Sequence, residues 1–129
     1  MIAFARPRSA FAALILAVLA ALPCLPSAAS AAELVVFGSA RCPYCLAWER
    51  EVGRTYARTG EARQAPLRRI DIEAELPADL DRLREVDVTP TFVLVEEGRE
   101  IGRIVGYSGS QHFWQELHRL FAKLPPKRM

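Results

Sequence analysis

The sequence predicts an α/β domain, a four-stranded mixed sheet flanked by helices in the order β-α-β-α-β-β-α. Three observations carry that expectation. A short apolar run, Leu34-Val35-Val36-Phe37, leads into the tetrapeptide Cys42-Pro43-Tyr44-Cys45 and a segment able to be helical. A strongly β-prone run, Thr91-Phe92-Val93-Leu94-Val95, is followed by a glycine-bearing turn and a return strand. Near the C-terminus, apolar residues recur at helical spacing. One βαβ crossover implies a parallel pair of strands, and the hairpin adds antiparallel ones.

The domain is expected to follow a targeting segment. Arg6 and Arg8 form a basic stretch without acids, Ala10 to Leu22 is uninterrupted and apolar, and Ala29-Ser30-Ala31 offers a small-residue cleavage site. The apolar run falls short of the roughly 20 residues a spanning helix needs. Residues 1–31 therefore read as a cleaved export signal and residues 32–129 as the domain, with an uncleaved membrane anchor as the alternative. Cys24, preceded by Leu22 and Pro23, suits a lipoprotein signal badly, so the exported chain keeps two of the three cysteines. Without Arg6 and Arg8, the 17 Lys+Arg fall to 15 against 15 Asp+Glu. A net charge near zero argues against a nucleic-acid partner and against strong steering by charge. The remaining length suits one small domain with one core. Outside the cytosol disulfides persist, so an isolated cysteine pair there is oxidisable by default.

The elements follow in order. Leu34 to Phe37 reads as a short buried strand and Gly38-Ser39-Ala40-Arg41 as the loop leaving it. Pro43 suits the first helical position, where its missing N–H removes nothing. Leu46 to Arg58 is expected to be helical, with Leu46, Trp48, Val52 and Tyr56 on the apolar face and Gly53 a local weakness. Gly60 to Pro66 reads as a polar connector and Leu67 to Ile72 as the second strand. Pro77 opens a short helix through Leu80, Leu83 and Arg84, with Asp79 and Asp81 near its positive end. Glu96-Glu97-Gly98-Arg99 is a turn with glycine available for positive φ, and Ile101 to Val105 pairs back. After a break at Gly106-Tyr107-Ser108-Gly109, Phe113, Trp114, Leu117, Leu120, Phe121 and Leu124 define the last helix. Ser108 and Gln111 could cap it, and Pro125-Pro126 ends it.

Two cysteines three apart at the start of a helix after a strand make a dithiol/disulfide switch. Unpaired backbone N–H groups and the positive end of the helix dipole stabilise a thiolate at Cys42, and Arg41 acts in the same direction. The spacing puts Cys45 on the same helical face, close enough to close a disulfide with Cys42. A purely structural bridge is the plain alternative, but so small a loop constrains the unfolded chain very little. Zinc would need two further ligands, and only His112 and His118 remain, more simply read as helix-surface residues. Cys42 is thus the expected nucleophile, and Cys45 the thiol that resolves its mixed disulfide. Trp48, Trp114 and Tyr107 read as core or rim packing. The arginines at 50, 54, 58, 63, 68 and 69 read as a solvated face.

Three segments resemble small exported members of the thioredoxin family. They are Phe37-Gly38-Ser39-Ala40-Arg41-Cys42-Pro43-Tyr44-Cys45, Val88-Thr89-Pro90-Thr91-Phe92, and Gly106-Tyr107 ahead of a Phe113-Trp114-x-x-Leu117 helix. The likeness runs from Leu34 to Leu124 and is similar in particular to the periplasmic thioredoxins of bacterial sulfur-oxidation (Sox) clusters. It implies a thioredoxin-like fold, a cis Thr89–Pro90 bond lying against the disulfide, and Thr89 backbone groups offered to an extended substrate segment. It also implies that Pro43 and Tyr44 set the redox poise and the surface around Cys42. The chain departs from the family at several points. Pro-Tyr between the cysteines is the glutaredoxin type, Arg41 stands where tryptophan is usual, and Val36 stands where many thioredoxins carry a buried acid. Glu49, one turn beyond Cys45, is the candidate left to take that thiol's proton.

The expectation is an exported, periplasmic thiol–disulfide oxidoreductase, monomeric, using its redox-active disulfide with no further cofactor and no metal. The resemblance implies a periplasmic protein disulfide as substrate, such as that of the sulfur-carrier protein of sulfur oxidation, and a membrane thiol–disulfide electron donor. The alternatives are a thiol reductase of cytochrome c maturation, a disulfide-forming catalyst, or a redox-gated chaperone whose cysteines hold copper(I).

Overall fold

A computed structural model describes residues 32–126. The expected export signal, its cleavage site and Cys24 lie outside the described residues. The elements are β1 (Glu33–Gly38), α1 (Pro43–Trp48), a π-helical stretch (Glu49–Gly53), α2 (Arg54–Tyr56), α3 (Gly60–Gln64), β2 (Leu67–Asp71), a 3-10 turn (Ala78–Leu80), β3 (Thr91–Glu96), β4 (Arg99–Val105) and α4 (Ser110–Phe121). The sheet order is β2-β1-β3-β4. β1 runs parallel to β2 with Leu34 opposite Leu67, and antiparallel to β3 with Val36 opposite Phe92. β4 closes the hairpin with Ile104 opposite Phe92. This is the four-stranded mixed sheet that the order of runs predicts.

β1 and β3 are buried on both faces, and their side chains alternate between two cores, as strands with period two must. Leu34, Val36, Phe92 and Leu94 face the larger core, where Trp48, Val52, Tyr56, Phe113, Leu117 and Leu120 arrive from the helices. Val35, Phe37, Val93 and Val95 face a smaller core closed by Leu80, with Leu83 and Val86 packed against it. The Trp48 ring lies 5.0 Å from Phe92 and 5.8 Å from Phe113, centroid to centroid, so the root of α1 is wedged against the sheet.

Several local expectations are corrected. At Gly53, read as a local weakness, regular α-helix is not kept. The chain widens into π-helical geometry there, with the Arg54 N–H reaching the Glu49 carbonyl, and Gly53 itself is buried. Leu46 is 48% exposed and off the apolar face, which Trp48, Val52 and Tyr56 form. The connector after Arg58 contains the helix α3, because the Thr59 hydroxyl accepts from the Ala62 N–H and so caps it. The expected helix after Pro77 is only the 3-10 turn. Arg103 holds the far end of this segment, its guanidinium donating to the carbonyls of Arg84 at 3.1 Å and Glu85 at 3.0 Å. The segment is held as an ordered loop instead, and Arg68 fixes its start by bonding both oxygens of Asp79. The expected capping box at α4 does not form. Gly109 occupies the cap with φ of 115°, and no side chain bonds to it.

The β3–β4 turn has positive φ at both Glu97 (52°) and Gly98 (72°), the geometry a two-residue hairpin needs to match strand twist. Glu100, next on the return strand, receives Arg103 at 2.6 and 2.8 Å and Arg84 at 3.1 Å. These guanidiniums, Arg103 foremost, hold its carboxyl down to about 2. The network ties β4 to the loop that delivers Thr89 and Pro90.

Candidate active site

Cys42 is the N-cap of α1. Its backbone is extended (φ −89°, ψ 112°), and its Sγ accepts the Cys45 N–H at 3.1 Å. Pro43 follows at the first helical position, and the Cys42 carbonyl accepts the Leu46 N–H at 3.1 Å. The turn before it is closed by Cys42 N–H to the Ser39 carbonyl, also 3.1 Å. Cys42 and Cys45 are joined as a disulfide with their Cα atoms 5.2 Å apart. The helical tip is less open than its position suggests. Cys42 is only 8% exposed, because the cap geometry folds its side chain back over the first turn, and Cys45 is half-buried. Tyr44, by contrast, stands 63% exposed between them.

The other expected site residues divide into two groups. Pro90 is buried, Thr89 half-buried, and the peptide bond between them is cis. The Pro90 carbonyl accepts the Gly106 N–H at 2.7 Å, and the Val88 carbonyl accepts the Thr91 hydroxyl at 2.6 Å. Among the described residues no hydrogen bond engages the Thr89 backbone between them. Arg41 is fully solvated and turned aside. Its guanidinium holds Glu73 at 2.8 and 3.2 Å, so much of its charge is answered by a carboxylate rather than by the sulfurs.

A cleft of about 260 Å³ opens beside the disulfide, lined by Cys45, Pro90, Val36, Trp48, Glu49 and Arg69 among others. Cys45 and Pro90 therefore share a wall despite lying far apart in sequence. Much of the cleft lining is apolar, and β1 ends against Cys45 at Gly38, where even a Cβ would meet Cys45 Sγ at an ordinary contact distance of 3.6 Å. Its rim is polar. Arg69 donates to both Glu49 oxygens, at 2.7 and 3.2 Å, and to the Gly53 carbonyl at 3.4 Å. Reading the sequence missed Arg69, which looked like one of a set of solvated arginines. The available signal was its place on a strand running parallel beside β1, with the helix of Glu49 crossing over. Arg68, from the same set, is also engaged, with Asp79 and Glu33.

The histidines and outlying aromatics stay clear of this chemistry. His118 Nε2 pairs with Glu61 Oε1 at 2.8 Å, joining α4 to α3, and this contact holds the Glu61 carboxyl below its usual range. Tyr107 donates to Glu51 at 2.5 Å, and burial together with that carboxylate raises its phenol. Tyr56, stacked on Trp114, donates to the Ala65 carbonyl at 2.8 Å. No group of three or more His, Cys, Asp or Glu side chains able to hold a metal occurs among the described residues, and no described helix is long and apolar enough to cross a membrane.

A redox disulfide at the head of a helix, beside the proline of the hairpin strand on a four-stranded mixed sheet, defines a class. The chain belongs to the thioredoxin-like family, whose domain model matches residues 28–121, and it is a thiol–disulfide oxidoreductase of that fold. Among solved structures it is similar to the periplasmic thioredoxin SoxS from Paracoccus pantotrophus in its reduced form, with 39% identity and a TM-score of 0.68. That match covers 71% of this chain and 97% of SoxS. Thioredoxin from Fasciola hepatica (21% identity, TM-score 0.54, 70% of this chain and 81% of that one) shares the fold. So does the germline-specific thioredoxin Deadhead from Drosophila melanogaster (23%, 0.54, 74% and 83%). A search of curated protein sequences finds no significant match.

Proposed function

We propose that this chain is an exported, periplasmic disulfide reductase that keeps a cysteine of a periplasmic partner in its thiol form. The observation that carries the reading is the 39% identity to a periplasmic thioredoxin over nearly all of that protein's length. Cys42 attacks the partner's disulfide as a thiolate, favoured by the Cys45 N–H that points at its sulfur. Cys45 then displaces the partner, which leaves reduced, and the enzyme is left with the Cys42–Cys45 disulfide. Pro43 stiffens the first turn, Tyr44 offers an exposed ring to the incoming chain, and the Thr89 backbone beside Pro90 receives an extended segment by strand-like pairing. Arg41 contributes less to the thiolate than its position implies, since Glu73 holds it.

The partner is the cysteine-bearing sulfur-carrier protein of sulfur oxidation or a protein like it, and a membrane thiol–disulfide donor restores the dithiol. No cofactor beyond the dithiol is needed, and the domain works as a monomer. The test is a Cys45→Ser variant expressed with its export signal. It should accumulate a mixed disulfide through Cys42 with the physiological partner, which mass spectrometry of the captured species identifies, while Cys42→Ser captures nothing. Productive trapping by Cys42→Ser would reverse the roles. A reduction potential near the strong-oxidant end, about −120 mV rather than the roughly −200 to −230 mV of glutaredoxins, would sink the reductase direction.

A further inference from the structure

Resolution of a mixed disulfide needs Cys45 as a thiolate, because the thiol itself is a poor nucleophile. Cys45 is half-buried against Gly38, and apolar surroundings raise a thiol's pKa. Some group within reach must therefore take its proton. The central run of β1 offers none, being Leu34, Val35, Val36 and Phe37. The titratable groups that line the cleft with Cys45 are Glu49 on the π-helical stretch and Arg69 and Asp71 on β2. Arg69 can only donate. Asp71 is spent on the turn after β2, where its Oδ1 accepts the Glu73 N–H at 3.0 Å.

Glu49 is the carboxylate that shares both the cleft and the helix face of Cys45. Its N–H bonds the Cys45 carbonyl, so the two residues are one α-turn apart and share a helix face. Its carboxylate is gripped at both oxygens by Arg69, which also ties itself to the Gly53 carbonyl. Gly53 provides the room: a Cβ at that position would stand 2.6 Å from Glu49 Oε2. A carboxylate clamped at two points, in a gap only glycine leaves, on a π-helical stretch of the kind found at functional sites, is more than a solvated charge.

Resting on the oxidoreductase reading above, we propose that Glu49, held by Arg69 in the space left by Gly53, accepts the Cys45 proton during resolution, directly or through one water in the cleft. The Cys45 Sγ–H bond breaks and its proton goes to the Glu49 carboxylate. The thiolate attacks Cys42 Sγ, the Cys42–Cys45 bond forms, and the Cys42–partner bond breaks. The electron pair leaves on the partner's sulfur, which takes up a proton. The partner's disulfide is the two-electron oxidant, and the dithiol is the reductant.

The test mixes the reduced protein with one equivalent of the aromatic disulfide dithiobis(nitrobenzoate) and follows thionitrobenzoate by stopped flow. The first release reports attack by Cys42, and the second reports resolution by Cys45. Glu49→Gln should leave the first phase within about two-fold and slow the second at least about ten-fold at neutral pH, against the roughly 100-fold or more that a positioned proton acceptor can supply. The deficit should narrow only as pH rises beyond roughly 8.5, the ordinary thiol value, because a thiol against an apolar wall ionises unaided later than a free one. Glu49→Asp, which keeps the carboxylate, should recover most of the rate. A second phase at the wild-type rate in Glu49→Gln, or a deficit equal at every pH, overturns the proposal. Loss of the first phase in the wild-type protein would instead overturn the oxidoreductase reading.

Discussion

Replacing Gly53 with alanine tests whether the fold needs an empty space at that point or merely tolerates a glycine. On helix propensity alone the change should stabilise the protein by about 1 kcal/mol. The surroundings say otherwise. The added methyl would lie 2.6 Å from Glu49 Oε2, 2.7 Å from Glu49 Cδ and 2.8 Å from Trp48 Cζ3. The Glu49 carboxylate can swing away, forfeiting its bidentate pair with Arg69, a partly exposed contact worth at most about 1 kcal/mol. Trp48 cannot move: it is 2% exposed and packed between Phe92 and Phe113. Overpacking a core in this way costs about 1–3 kcal/mol. The net expectation is a loss of about 1–2 kcal/mol. Urea unfolding of the oxidised protein, followed by tryptophan fluorescence, should show a midpoint lower by about 0.5–1 M for a small domain's slope. A midpoint that rises would refute the packing argument and leave the helical weakness as the better account of Gly53.

Two further outcomes follow from charge. The folded-state carboxyl of Glu100 lies at about 2, below its ordinary value near 4.5, so its stabilising contribution is complete above the unfolded value and is lost as pH falls from about 4.5 toward 2. Acid titration of stability should show that loss, on the order of 3 kcal/mol, and Glu100→Gln should flatten this part of the profile; an unchanged profile in the variant would discount the Arg84–Glu100–Arg103 network. In the reduced protein, exposure would favour alkylation of half-buried Cys45 over Cys42, whereas ionisation favours Cys42, the sulfur at which the Cys45 N–H points. Limiting iodoacetamide at neutral pH, read by peptide mapping, should label Cys42 first; Cys45 first would reverse the assigned roles.

The sheet was legible because strands with period two and a tetrapeptide at a strand–helix junction leave few alternatives. Val35 and Phe37 face one core while Leu34 and Val36 face the other, which a continuous apolar run states directly. What stayed hidden depended on partners distant in sequence. Arg103, from β4, holds two carbonyls at the end of the segment after Pro77, where only a 3-10 turn forms. Thr59 nucleates α3 through one hydroxyl that composition cannot distinguish from any other loop threonine. At the site, the cysteines, Pro43 and Pro90 announced themselves through local chemistry, but the exposure of Cys42 did not. The N-cap conformation folds it inward, and no residue type encodes that. Arg69 was invisible for the same reason, since its role exists only once β2 lies beside β1 beneath the helix of Glu49.

The position of charge around Cys45 follows from what the sheet can bear. A carboxylate on β1 at Val36 would sit in the larger core, where an unpaired charge costs several kcal/mol and a paired one still demands a buried partner. Glu49 avoids that cost by standing on the helix rim, its side chain 35% exposed and its charge shared with Arg69. β1 can then carry four successive buried apolar residues and anchor both cores. The cleft inherits the result as an asymmetry, apolar toward Val36, Trp48, Ile70 and Pro90 and polar toward Glu49, Arg69 and Asp71. Cys45 belongs to the same lining. Apolar neighbours disfavour a thiolate, and on the proposal above Glu49 gives its proton a destination. A strand too hydrophobic to hold an acid thus moves proton handling to the neighbouring helix, and Gly53 leaves the room in which it stands.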